Sequence, residues 1–252
     1  MIGVFDSGVG GLAVLREIRD LLPDADLIYV ADRRRAPYGT RTLSEVSSIA
    51  HEVTEWLIDA GALCVVIACN TASAAALHSI RDAHPDLPIV GMEPAVKPAA
   101  QGTVTGTVAV YATEATFQGE LFDSVVSRFA AGVEVLTRAC PEWVELVERG
   151  VVNGPEAETA VNRAVDEAVD AGADQIVLAC THFSFLAPVI ERVSGIEVID
   201  PAPAVATQAT RVAPGTDGAG TTTLAASGDI DEFSTLARRL AYFAQPVIRF
   251  AP

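Results

Sequence analysis

Lysine is almost missing from this chain: Lys97 is the only one among 252 residues. A pyridoxal-phosphate enzyme holds its cofactor as a lysine Schiff base, so that chemistry is excluded unless Lys97 itself fills the role. Positive charge is scarce in general, with 17 Lys and Arg against 33 Asp and Glu, a net charge of -16 and a pI near 4.5. Nucleic acid and anionic membranes require a basic footprint, and neither is expected as a partner. Cysteine is sparse too. The four residues Cys64, Cys69, Cys140 and Cys180 have neither the CxxC spacing of zinc sites nor the density of a secreted disulfide scaffold, so reduced thiols and no metal are expected. No apolar run approaches membrane-spanning length, and Met1 to Asp6 lacks the basic segment and long apolar region of a signal peptide. A cytoplasmic protein is the expectation.

What is present is an alternation of strands and helices. Half of the residues are hydrophobic, enough for one large core or two ordinary ones. Ile2 to Phe5, Leu27 to Val30, the run ending at Cys69 and a short stretch around Ile89 and Val90 read as strands, with amphipathic helices between them. Pro94 to Thr107 turns to Pro, Ala, Gly and Thr, a crossing between two lobes. A second series opens with a strand at Thr107 to Tyr111. Helices follow near 117 to 130, 141 to 149 and 155 to 171, then the strand before Cys180, a helix from about Ser184 and a strand at Glu197 to Ile199. Residues 213 to 218 read as a surface loop, and Thr221 to Ala226, a helix near 230 to 243 and Val247 to Phe250 complete the chain. The expected fold is α/β, with two similar lobes of parallel-rich sheets flanked by helices and the active site in the cleft between them.

Two stretches match each other. Val65 to Ser73 and Ile176 to Ser184 are both buried-strand runs ending in a cysteine followed by small polar residues suited to cap a helix. Ligands in open α/β sheets bind where strands end, so Cys69 and Cys180 are read as a catalytic pair, while Cys64 and Cys140 are read as ordinary buried residues. A helix N-terminus beside each thiol would favour thiolate. His182, two residues from Cys180, and Asp6, after the first strand, are the candidates for tuning them. A carboxylate beside Cys69 would disfavour its thiolate, so Asp6 would instead accept its proton or hold a ligand's ammonium group. Gly8-Val9-Gly10-Gly11-Leu12-Ala13 fits the G-x-G-x-x-A dinucleotide fingerprint, with Asp26 or Asp32 as ribose partner, but Asp6-Ser7 would oppose pyrophosphate. A glycine turn that lets the backbone approach a small ligand is the favoured reading. Pro37-Tyr38-Gly39 offers an amide and a phenol to an anion. Arg33, Arg34 and Arg35 read as a solvated cluster, and Glu148 as the surface of an amphipathic helix.

Asp6 to Leu12, Pro37-Tyr38-Gly39, Ala68 to Ala72, Ala112 to Thr116, Leu146-Val147-Glu148 and Cys180-Thr181-His182 together resemble the cofactor-independent glutamate racemases of the aspartate/glutamate racemase superfamily. The match runs in order along nearly the whole chain. It implies no cofactor, Cys69 and Cys180 as the two acid/base residues, and assistance from Asp6 and His182. It also implies substrate contacts from Asp6, Ser7, Tyr38, Gly39, Asn70, Thr71, Thr113, Thr116, Thr181 and His182, with Asp32 and Glu148 as acidic groups near the site. Residues 1–96 and 208–252 would form the first lobe and 97–207 the second; a homodimer is expected from the resemblance alone. The chain departs from the common pattern at Phe183-Ser184-Phe185, Gln118-Gly119, Glu142 and Glu145, which bears on substrate fit, lobe packing and oligomeric contacts.

Inverting an α-carbon means removing its proton on one face and delivering another on the opposite face. Thiols, with an ordinary pKa of about 8.5, can serve as base and acid near neutrality. The expected activity is interconversion of L- and D-glutamate, supplying D-glutamate for peptidoglycan. The alternatives are a racemase for aspartate or another amino acid, a nicotinamide-dependent dehydrogenase, and a catalytically altered paralogue with a regulatory or thiol-sensing role.

Overall fold

Short β-branched runs bounded by glycine and small polar residues fold into ten strands, and the amphipathic segments between them into eleven helices. These are described here for residues 1–251 of a computed structural model; Pro252, assigned by the sequence to the first lobe, lies outside them. In order, the first series is β1 (Ile2–Asp6), α1 (Leu12–Leu21), β2 (Leu27–Ala31), α2 (Leu43–Asp59), β3 (Cys64–Ile67), α3 (Asn70–Ala83), β4 (Ile89–Gly91) and α4 (Val96–Gly102). The second is β5 (Thr107–Ala112), α5 (Glu114–Phe117), α6 (Glu120–Phe129), β6 (Glu134–Ala139), α7 (Pro141–Glu148), α8 (Gly154–Asp170), β7 (Gln175–Ala179), α9 (Ala187–Ser194) and β8 (Glu197–Ile199). The chain ends with α10 (Ala202–Val212), β9 (Thr222–Ala226), α11 (Ile230–Ala241) and β10 (Val247–Arg249). Single 3-10 turns cover Tyr38–Thr40 and Thr181–Leu186.

The strands form two sheets, ordered β10-β9-β2-β1-β3-β4 and β6-β5-β7-β8, with every pairing parallel. Strands wholly buried on both faces, such as β1, β3 and β7, are what a parallel sheet covered by helices requires. The last two strands return to the first sheet, with β9 pairing β2. Because all strands run the same way, the residues that follow β1, β3, β5 and β7 emerge at carboxyl edges, the place where α/β sheets hold ligands.

Three segments differ from the expectation. β6 gave no strand signal in the sequence because it is an edge strand with no fully buried residue, so its pattern is not apolar. Residues 202–212 form α10, capped by Pro201 and with Pro203 in its first turn, where a missing amide costs nothing. The crossing after Pro94 contains α4, with Val96 and Ala99 buried.

One apolar cluster is continuous across the halves: it takes in Val4 and Tyr29 of the first sheet, Tyr111 and Leu178 of the second, and Trp143 of α7. Trp143 is fully buried, stacked on Tyr111 at 5.1 Å and edge-on to Phe183 at 4.9 Å. Phe183, one of the departures from the family pattern, is thus a core residue behind the Cys180 strand. Trp143→Ala is expected to lower stability by about 3–5 kcal/mol, read as a reduced urea midpoint at unchanged m-value. A loss below about 1 kcal/mol would show that this aromatic cluster is not holding the second half together.

Candidate active site

A cleft of about 430 Å³ opens between the two sheets, at the carboxyl ends of their strands. Of the residues singled out from sequence, Ser7, Tyr38, Gly39, Cys69, Asn70, Thr71, Thr113, Cys180, Thr181 and His182 line it. Asp6 and Thr116 do not: both are buried behind the wall and act through residues that do line it. Arg41, Thr42, Pro141 and Val144 line it as well and had no sequence signal, since each is ordinary in its local context; Glu114, within the Ala112 to Thr116 stretch, lines it too. Gln118 and Glu145, two of the departures from the family pattern, also face the cleft, whereas Phe183 does not.

Cys69 is the N-cap of α3. Its extended backbone lets Sγ accept from the Ala72 amide at 3.4 Å, so the thiol replaces the usual serine or aspartate cap. The expectation of a thiolate fails here, because burial pushes the Cys69 pKa up and the Asp6 charge adds to the rise, outweighing the amide. Cys69 therefore rests as a thiol. Asp6 is itself raised by burial, against the pull of His182, the Gly8 amide and Thr181. Its Oδ1 accepts from Gly8 N at 2.7 Å and its Oδ2 from Thr181 Oγ1 at 2.9 Å, so it ties the first strand to a second-half cleft residue.

Cys180 is not an exact copy of Cys69, since a 3-10 turn follows it and its side chain caps nothing. It has a different partner: Sγ lies 3.9 Å from His182 Nδ1. The other ring nitrogen, Nε2, is 2.8 Å from Glu148 Oε1. Burial alone would lower the His182 pKa, but the contacts with Cys180 and Glu148 override it and hold it well above the usual value. The imidazolium so favoured donates from both nitrogens. Glu148 is correspondingly kept below the usual carboxylate range: burial works against this, and His182, the Val9 amide and Arg33 prevail.

The glycine loop is explained by this arrangement. Val9 N donates to Glu148 Oε1 at 2.9 Å, and a Cβ on Gly8 would sit 1.9 Å from that same oxygen. One on Gly10 would sit 2.5 Å from His182 Nδ1. The glycines make room for the chain's own second-half side chains. The Gly8 and Val9 amides are already taken by carboxylates, and Asp26 and Asp32 by Thr221 and by Tyr38 and Ser227, which leaves the dinucleotide reading without those phosphate donors and with both ribose partners engaged.

On the opposite wall, Asp32 Oδ2 accepts from Tyr38 OH at 2.6 Å and from Arg35 Nε at 2.5 Å. Burial pushes the Tyr38 phenol up, and Asp32 adds to it, so the hydroxyl remains a donor. Arg35 also reaches Glu52, and Arg33 lies between Glu148 and Glu232; of the three arginines read as solvated, only Arg34 is exposed. Thr71, Thr113 and Thr116 share a hydroxyl cluster, with Thr113 2.9 Å from Thr71 and 2.8 Å from Thr116, which joins the two halves. Asn70 is nearly buried, lines the cleft, and has neither its carbonyl oxygen nor its amide nitrogen hydrogen-bonded. Such a side chain is costly unless a ligand completes it. Lys97 is exposed on α4 over the Phe129 ring, away from the cleft.

The cleft lies between two parallel sheets with a thiol from each, and residues 2–209 match the Asp/Glu/hydantoin racemase family. The chain belongs to that family. It is 46% identical over 248 residues to a glutamate racemase of Roseiflexus sp. (strain RS-1), covering 95% of this chain and 91% of that one. Its fold superposes on Escherichia coli glutamate racemase, solved with L-glutamate and the activator UDP-MurNAc-Ala, at TM-score 0.86 and 30% identity over 98% of this chain and 96% of that one. It superposes on the Francisella tularensis glutamate racemase, solved with D-glutamate, at TM-score 0.85 and 25% identity over 99% and 97%. Within the family it stands with the glutamate racemases and is an isomerase. No helix among the described residues is long and apolar enough to cross a membrane.

The His182–Glu148 pair has a measurable signature. Because the folded pKa of His182 is raised, the stability it contributes is fully present below its unfolded value of about 6.5 and is lost as pH rises through the folded value. In nitrogen-15 spectra His182 is expected to remain an imidazolium through pH 7, and Glu148→Gln should bring its midpoint down by at least about one unit. A midpoint near 6.5 in the unsubstituted protein would contradict the assignment.

Proposed function

We propose that the enzyme interconverts L- and D-glutamate by a two-base mechanism, with Cys69 and Cys180 acting on opposite faces of the α-carbon. The observation that carries the reading is one cleft lined by a cysteine from each sheet, with the unpartnered amide of Asn70 beside them. The bound L- and D-glutamate of the two relatives support the choice of substrate. A volume of about 430 Å³ is within the range of small-ligand sites.

In each direction one sulfur takes the α-proton as thiolate while the other, as thiol, delivers its proton to the opposite face; the two sulfurs end with their protonation states exchanged. His182 holds a proton next to Cys180, and burial, with Asp6 behind the wall adding to it, favours the protonated form of Cys69. With no electron sink, the carbanion is met by oriented donors, for which Asn70, Thr71, Thr181 and the adjacent backbone amides are assigned. Ser7, Tyr38, Gly39, Thr113 and Thr116 complete the substrate-holding set, the last through Thr113. A dianionic substrate in a protein of net charge -16 depends on local donors, and Arg41 and His182 are the cationic residues on the cleft wall. The same reading takes 1–96 with 208–252 as one lobe and 97–207 as the other. It places the enzyme in the cytoplasm as a homodimer, and its D-glutamate in peptidoglycan; these rest on the family resemblance.

Cys69→Ser and Cys180→Ser should each lower kcat for glutamate by about 10²–10⁴ in a circular-dichroism assay. Turnover at the original rate by either variant rules out the pair as the two bases. Running the same assay on aspartate and other amino acids separates a glutamate enzyme from a racemase of different specificity.

A further inference from the structure

Arg33 was read from sequence as one of three solvated arginines, yet its side chain is 13% exposed and touches two separate segments. Its Nε lies 3.5 Å from Glu148 Oε2 on α7. Its Nη1 lies 3.0 Å from Glu232 Oε2 on α11 and donates to the Asp229 carbonyl at 3.3 Å. Glu148 thereby divides its two oxygens: Oε1 serves Val9 N and His182 Nε2, and Oε2 faces Arg33. We propose that Arg33 is a positioning residue for the acid–base machinery, holding the outer oxygen of Glu148 so that the inner one stays on His182 and the glycine loop. This rests on the racemase mechanism above for its effect on turnover, but not for its effect on Glu148 itself.

The charges around Glu148 fix the sign. From the segment after β7 it faces His182, with Cys180 behind; from β1 and β2, Asp6 and Tyr29; from the loop after β2, Arg33, with Glu232 of α11 on its far side. On α7 itself, Arg149 is occupied by Glu156. Arg33 is therefore the permanent cation in contact with this carboxylate. Without it Glu148 meets Asp6 with only the titratable His182 to balance it, and protonates sooner as pH falls. A protonated Glu148 no longer accepts from the His182 imidazolium, so the acidic limb of turnover moves to higher pH.

The test compares the unsubstituted enzyme with Arg33→Gln, Arg33→Lys and Glu232→Gln. Two readouts are taken: the pH profile of kcat and KM, and the carbon-13 titration of the side-chain carboxyl that Glu148→Gln removes from the spectrum. In Arg33→Gln the carboxyl midpoint and the acidic limb should both rise by about 0.5–1 unit, with kcat on that limb, below both midpoints, down by about three- to tenfold and KM unchanged, since Arg33 does not line the cleft. Arg33→Lys should restore both, and Glu232→Gln should raise neither. An unshifted midpoint in Arg33→Gln, a change in KM alone, or an Arg33→Lys variant no better than Arg33→Gln would overturn the proposal. The carboxyl titration reads the same in a protein that does not racemise glutamate, so its failure is separable from failure of the functional reading.

Discussion

The contact on which the rest of this site depends is the one between Glu148 Oε1 and two donors from distant parts of the chain, Val9 N and His182 Nε2. A carboxylate drawn partly out of water is tolerated best when its oxygens are paired, and here the pairing joins the glycine loop of the first half to the cleft of the second. Gly8 and Gly10 follow from it, because side chains there would occupy the space of Glu148 and His182. The proton held on His182 beside Cys180 follows as well. Charge placement and backbone shape are thus one constraint seen from two sides.

The two thiols sit at comparable strand ends but in different electrostatic settings. Cys69 caps a helix above the buried Asp6 and is pushed toward its neutral form, whereas Cys180 has an imidazolium as neighbour. Two chemically identical side chains are in this way given different resting partners by their surroundings. The threonine cluster of Thr71, Thr113 and Thr116 and the Asp6–Thr181 bond fix the two walls relative to each other.

Much of this was legible in the residues. Strands such as β1, β3 and β7 are continuous apolar runs, and the cysteines that follow them stand out because strand ends are where ligands bind. β6 was not legible because an edge strand buries too little to leave an apolar pattern, and α10 was hidden by the prolines at its N-cap and in its first turn. Arg33 and Glu148 were misread by local pattern for a different reason. Val9 and Glu148 are 139 residues apart, and nothing in the helical periodicity of α7 records that its last residue turns inward to meet a loop near the N-terminus. Only the motif-by-motif resemblance brought Glu148 near the site, and it carried no word of Arg33. The same limit applies to Asp6, which was singled out from sequence but whose position behind the cleft wall is set by Thr181 and Gly8.

The central claim is that two different groups exchange the α-proton from opposite faces. It is tested most directly by incubating the enzyme in deuterated water with each enantiomer of glutamate in turn and analysing early time points by mass spectrometry after chiral separation. The two-base account predicts that the newly formed enantiomer carries deuterium at the α-carbon while the recovered starting enantiomer does not, in both directions. Equal labelling of substrate and product, or product that retains its original hydrogen, would contradict it.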